Sequence, residues 1–167
     1  MNILLHAQRL ISTINRLMVA LGSLGLAAAS LILSYSVVSR SLFRMPTDWQ
    51  DEAAVFCLVG VTFLGAAFVQ EHRHHVGISA LAGLLPRPIE RLRIFLVDFV
   101  PLIFCGFFAW KSFALFHEAW VDGHTTSSSW GPPLAIPYGL MTAGMLLLCL
   151  QLFLQTLQHL LARSKVA

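Results

Sequence analysis

Residues 53–70, AAVFCLVGVTFLGAAFVQ, carry no charged side chain. Polar margins bound this run abruptly. Arg40, Arg44, Pro46, Trp49, Asp51 and Glu52 precede it, and Glu71-His72-Arg73-His74-His75 follow it. As a helix the run reaches about 27 Å at 1.5 Å per residue, close to the ~30 Å hydrocarbon core of a bilayer. In water such a helix needs a charged surface around it. Only 11% of this chain is charged and 57% is hydrophobic, against roughly 25% charged residues in soluble domains. The run is therefore a membrane span, and the chain is a membrane protein.

Three more segments are long and apolar enough to cross. The spans lie at about 17–39, 53–70, 94–115 and 137–161, near the ~20 residues that each crossing needs. The chain reads as a single all-α domain over 1–167, a membrane protein of four transmembrane helices. Arginine and lysine set its orientation. Arg9, Arg16, Arg73, Arg87, Arg91, Arg93, Arg163 and Lys165 fall on one side; Arg40, Arg44 and, near a helix end, Lys111 fall on the other. Both termini and the middle loop are thus expected in the cytoplasm. Residues before the first span show apolar positions at helical spacing, namely Ile3, Leu4, Ala7, Leu10, Ile11 and Ile14. They are either an amphipathic helix on the inner surface or the first span beginning early. Ala27-Ala28-Ala29 resembles a signal cleavage site, but apolar residues continue to Val38, which favours an uncleaved span.

Several function classes lose support. No basic stripe interleaved with aromatics suggests nucleic-acid binding. Cys57, Cys105 and Cys149 sit in apolar runs without a C-x-x-C pair, as small buried hydrophobes do. No Ser-His-Asp spacing, phosphate-binding glycine loop or H-E-x-x-H is present, so no enzyme activity is expected. His72, His74 and His75 cluster at a span end, His117, His124 and His159 lie at or beyond helix ends, and no span has a central histidine. A haem or metal site is accordingly not expected, and no cofactor is assigned.

The remaining features concern packing and anchoring. Thr47 or Asp48 can cap span two, acids in its first turn suit the helix dipole, and Trp49 sits where interfacial aromatics anchor. Alternatively, Arg40, Arg44 and Glu52 contact a partner. Small residues recur at Ser23, Ala27, Ser30 and Ser34 in span one, and at Ala53, Cys57, Gly60 and Ala67 in span two. Such faces allow close helix approach, within the bundle or against another protein. Asp98 lies about one turn inside span three, and Gln151, Gln155 and Gln158 form a stripe in span four. A hydrogen bond from Asp98 to Gln155 or Gln158 is the expected arrangement; an ion or proton relay is the alternative. Lys111 is about 20 Å along the helix from Asp98 and cannot pair with it. The outer segment with Trp120 and Trp130 reads as a membrane anchor or a docking surface.

Taken in order, Arg40, Phe43-Arg44-x-Pro46, Trp49, Glu52, Phe63-Leu64-Gly65-Ala66-Ala67, His75-Val76, Leu85-Pro86 and Ile136-Pro137 resemble the small membrane subunit of TRAP (tripartite ATP-independent periplasmic) transporters, the DctQ type. The chain departs from that pattern at Gly77 and Ser79, where the family often carries a further basic residue and an acid. The resemblance implies a multi-pass bacterial inner-membrane protein. Its partners would be a large multi-span permease subunit, which carries the substrate and sodium sites, and a periplasmic substrate-binding protein, besides the membrane lipids. The chain itself would be a scaffold in sodium-driven uptake of organic acids. Arg40, Arg44, Trp49, Glu52, Gly60, Gly65 and His75 are the partner-interface candidates. Two other functions stay open: a four-helix haem or quinone anchor of a redox complex, and a self-contained small channel or exporter.

Overall fold

A computed structural model describes residues 2–72 and 87–163, with side-chain surroundings given for 6, 8–72 and 99–157. Among the described residues there are four α-helices: α1 (Asn2–Val38), α2 (Asp48–His72), α3 (Arg87–Val121) and α4 (Ala135–Arg163). Each contains a stretch long and apolar enough to cross a membrane, within Gln8–Phe43, Asp48–His72, Phe99–Val121 and Ala135–Leu157. His75 and the other middle-loop features lie outside the described residues, as do the side chains of Asp98 and Gln158.

The helices outrun the apolar segments, because hydropathy registers only the part that meets hydrocarbon. α1 is continuous from Asn2, so the apolar recurrences ahead of residue 17 begin one long helix and form no separate element. It passes into a wider π turn, Ser39–Phe43, and stops at Arg44, whose φ of 50° is left-handed. Pro46 follows, and α2 starts where the Asp51 N–H donates to the Thr47 carbonyl at 3.2 Å. α3 continues to Val121, beyond the expected end near 115. Pro101 lies inside it and removes one main-chain donor.

α1 and α2 form one antiparallel hairpin, and α3 and α4 form another. They meet through α2 and α4, which run in the same direction, giving the lateral order α1, α2, α4, α3. The α1 seam recurs every three or four residues: Ile11, Asn15, Met18, Gly22, Gly25, Ala29, Ile32 and Ser36 are buried or half-buried. That 3.5-residue period suits left-handed packing with small residues at the contact. A methyl on Gly22 or Gly25 would touch Val61 at 3.7 or 3.6 Å, ordinary van der Waals distances. The α2–α4 contact is tighter. A Cβ on Gly144 would fall 2.4 Å from the main-chain carbon and oxygen of Phe63, so only glycine lets these backbones approach so closely.

Ser23, Ala27, Ser30 and Ser34 are exposed on the opposite side of α1. This stripe does not build the bundle. Its three hydroxyls bond back to the carbonyls of Val19, Leu26 and Ser30 at 2.8–3.0 Å, which conceals polar groups from lipid.

Candidate functional site

Polar side chains gather at both ends of the α1–α2 seam. At one end Asn15 is fully buried. Its Nδ2 donates to Glu71 Oε2 at 2.9 Å and to Gln151 Oε1 at 3.4 Å. One turn away, Gln70 Nε2 donates to Gln155 Oε1 at 3.3 Å, and Gln155 Nε2 donates to the Gln70 carbonyl at 3.4 Å. Three helices are thereby tied together. The glutamine stripe on α4 was legible in the sequence, but Gln155 bonds to Gln70, and Asn15 was missed. Its signal was available: Asn15 falls on the same 3.5-residue repeat as Ile11, Gly22 and Ala29.

At the other end Arg40 holds Asp51, its guanidinium nitrogen 2.6 Å and 2.8 Å from the two carboxylate oxygens. Ser36 Oγ donates to the same carboxylate at 3.2 Å. Leu33, Val37 and Ser41 line the open cleft beside them. Asp48 accepts from Ser129 Oγ at 2.9 Å, and Trp49 meets Trp130 edge-on with centroids 6.5 Å apart. The α3–α4 connection is therefore fastened to the start of α2. Within it, Gly123 and Gly131 take left-handed φ angles of 64° and 57°. Thr126 N–H donates to the Pro132 carbonyl at 3.0 Å, and Leu134 N–H to the His124 carbonyl at 2.9 Å. The two polar ends are about 30 Å apart along α1, from Asn15 to Ser36, which is the hydrocarbon thickness.

The structure separates the partner-interface candidates. Arg40 is committed to Asp51 within the chain but remains half exposed. Arg44 is exposed, and Trp49 is 46% exposed. Glu52 is half-buried, and its Oε2 and Gln50 Oε1 are buried atoms without a hydrogen-bond partner among the described residues. Gly60 belongs to the interior: it is buried, and a Cβ there would meet Leu140 at 3.3 Å. Gly65 faces open space and continues an exposed α2 stripe of Val55, Leu58, Thr62 and Val69.

Lys111 is the largest departure from the sequence reading, which put it near a helix end. Because α3 reaches Val121, Lys111 stands about 15 Å from that end of the helix, and Phe108, one turn away, stacks on Phe63 of α2 with centroids 6.2 Å apart, which sets Lys111 level with the middle of Asp48–His72. It is exposed, its Nζ 4.9 Å from the Trp110 ring centroid and 5.9 Å from that of Phe107. A lysine at the bilayer centre costs about 2.5–3.5 kcal/mol on insertion scales, and stacking on an aromatic returns roughly 0.5–2 kcal/mol.

Glu118, Asp122 and His124 bring ligand atoms within 4.8 Å of one another, a proximity the sequence reading did not anticipate. All three are exposed and adjoin Trp120 at the tryptophan end of the bundle, where they make a polar edge. Among the described histidines, His72 contacts the Phe68 carbonyl at 3.0 Å and His117 stacks on Phe113 with centroids 6.3 Å apart.

Comparison with known proteins bears on this arrangement. Residues 29–162 match the family described as tripartite ATP-independent periplasmic transporters, DctQ component. The chain is 34% identical over 90 residues to the sialic acid TRAP transporter permease protein SiaT of Haemophilus influenzae (strain 86-028NP), covering 54% of this chain and 14% of that protein. It thus spans about one seventh of that relative's length. It is 24% identical over 115 residues to a putative TRAP transporter small permease protein of Haemophilus influenzae (strain ATCC 51907 / DSM 11121 / KW20 / Rd), covering 69% of this chain and 67% of that protein.

Proposed function

The chain belongs to the DctQ component family of tripartite ATP-independent periplasmic transporters, and on that premise we propose that it braces a large permease subunit in sodium-driven uptake of organic acids. It is a multi-pass protein of the bacterial inner membrane, with four helices long enough to cross. The observation that carries the scaffold reading is the family match over residues 29–162. Its structural support is a seam of small residues closed by hydrogen bonds at both ends. A seam of that kind is suited to rigidity.

In this reading the arginine-rich side faces the cytoplasm, and the Trp49–Trp130 end faces the periplasm. The substrate and sodium sites belong to the large subunit. A periplasmic binding protein delivers the acid, and the tryptophan end is where it would be met. One relative is named a sialic acid permease, so sialic acid is the first substrate to try.

The test is uptake by proteoliposomes carrying this chain with a large TRAP permease subunit from the same organism, supplied with the binding protein. Sodium-dependent sialic acid or C4-dicarboxylate uptake is expected only when both membrane chains are present. Solute flux through this chain alone, or full uptake without it, would refute the scaffold role. Trp49→Ala and Glu52→Ala are expected to lower uptake several-fold through weaker assembly. Normal co-purification and full-rate transport by both variants would remove the Trp49 end from the interface.

A further inference from the structure

Lys111 has no anion beside it among the described residues. The chain has eight acidic residues, and each is accounted for by position. Asp51 is held by Arg40, Asp48 by Ser129, and Glu71 by Asn15. Glu52 lies on α2 one turn from Trp49, at the tryptophan end. Glu90 and Asp98 lie on α3 itself, the nearer about 20 Å down the helix from Lys111, and Glu118 is about 10 Å up it; Asp122, just past the helix end, lies 3.9 Å from His124. Among the described residues no carboxylate forms an ion pair with Lys111. Residues 73–86 contain no acid.

The surroundings of Lys111 are those of a contact surface. Ile103, Phe107, Trp110 and Ala114 share its exposed face of α3, while Ala109, Ser112 and Ala119 on the other face are buried in the bundle. A methyl on Gly106 would meet nothing within 4 Å. A cation held at mid-membrane on an outward face is matched by a carboxylate at the same depth on a neighbouring helix, because lipid tails offer it no counter-charge.

We propose that this face of α3 docks a membrane helix of the large permease subunit, and that an Asp or Glu at mid-membrane depth on that helix pairs with Lys111. The inference rests on the scaffold reading and adds the surface, the residue and the chemistry of its partner. A second copy of this chain is a poorer occupant, since its own outward α3 face repeats the lysine and would set like charges together.

Photocrosslinking in the assembled transporter tests it. Benzoylphenylalanine at Phe107 or Ala114 is expected to crosslink to the permease, and at Leu24 or Leu31 on exposed α1 to do so at least fivefold less. The crosslinked permease segment should contain an acid within two turns of the attachment point. Lys111→Glu should reduce recovery of the permease with this chain at least tenfold at equal membrane levels of the chain, and Lys111→Met should reduce it less. Crosslinks from α3 to a second copy or only to lipid would overturn the inference, as would undiminished recovery with Lys111→Glu. If the unsubstituted chain fails to co-purify with the permease, the scaffold reading itself fails, a result distinct from either.

Discussion

A single buried asparagine carries much of the chemistry at the end of the bundle away from the tryptophans. Asn15 joins α1 to Glu71 on α2 and Gln151 on α4, while its own Oδ1 has no hydrogen-bond partner among the described residues. Interhelical hydrogen bonds in membranes average about 0.6 kcal/mol, but stripping a buried group of its partner costs about 1–3 kcal/mol. Asn15→Ala is therefore expected to destabilise the fold by about 1–2 kcal/mol. Asn15→Asp should be worse, because it sets a second carboxylate against Glu71. Thermal unfolding in detergent reads both; equal midpoints for Asn15→Asp and the unsubstituted chain would contradict the assignment. By contrast, the Arg40–Asp51 pair, with side chains 55% and 47% exposed, is worth no more than about 1 kcal/mol. The partners of Gln155 and Asn15 could not be read from sequence, since a hydrogen bond between helices depends on register. Glutamine spacing along one helix contains no such information.

Among the helices, α2 and α4 each have neighbours on both sides, and their glycine contacts are unequal. Gly144 on α4 sits against the Phe63 backbone, whereas Gly65 on α2 faces open space. Gly144→Ala should force the helices apart and cost about 1–3 kcal/mol, the usual range for overpacking. Gly65→Ala should leave the isolated chain unchanged. Melting curves of the two variants check the contrast, and a Gly144→Ala midpoint equal to that of Gly65→Ala would show the contact to be looser. Existence of each helix was legible because apolar runs of this length have one physical outcome in a bilayer. The ends were less so. Lys111 was misplaced because α3 continues through polar and aromatic residues that hydropathy does not score as membrane. Small residues at Ser23, Ala27, Ser30 and Ser34 suggested a packing face, yet the buried seam is offset by one position and includes Gly22, Ala29 and Ser36. Two nearly parallel stripes of small residues cannot be ranked without the neighbouring helix.

The described residues form two hairpins joined along α2 and α4, with Trp49, Trp120 and Trp130 at one end and the asparagine–glutamine cluster at the other. Its orientation is testable at this scale. With the native cysteines replaced, a cysteine at Ser127 should react with an impermeant maleimide in intact cells, and one at Lys165 only after permeabilisation. The reverse pattern would invert the proposed topology and move the tryptophan end to the cytoplasm. The sequence by itself determined that this chain lives in a membrane, crosses it four times and belongs with a transporter's small subunit, because length of apolar run, scarcity of charge and ordered local motifs are properties of the chain alone. Only the tertiary structure decided which small residues meet, which polar groups find partners, and that Lys111 faces outward at mid-membrane. Those depend on the rotation and register of each helix against its neighbours, and several nearly equivalent arrangements satisfy the same pattern of apolar residues until backbones such as those at Gly144 and Phe63 come into contact.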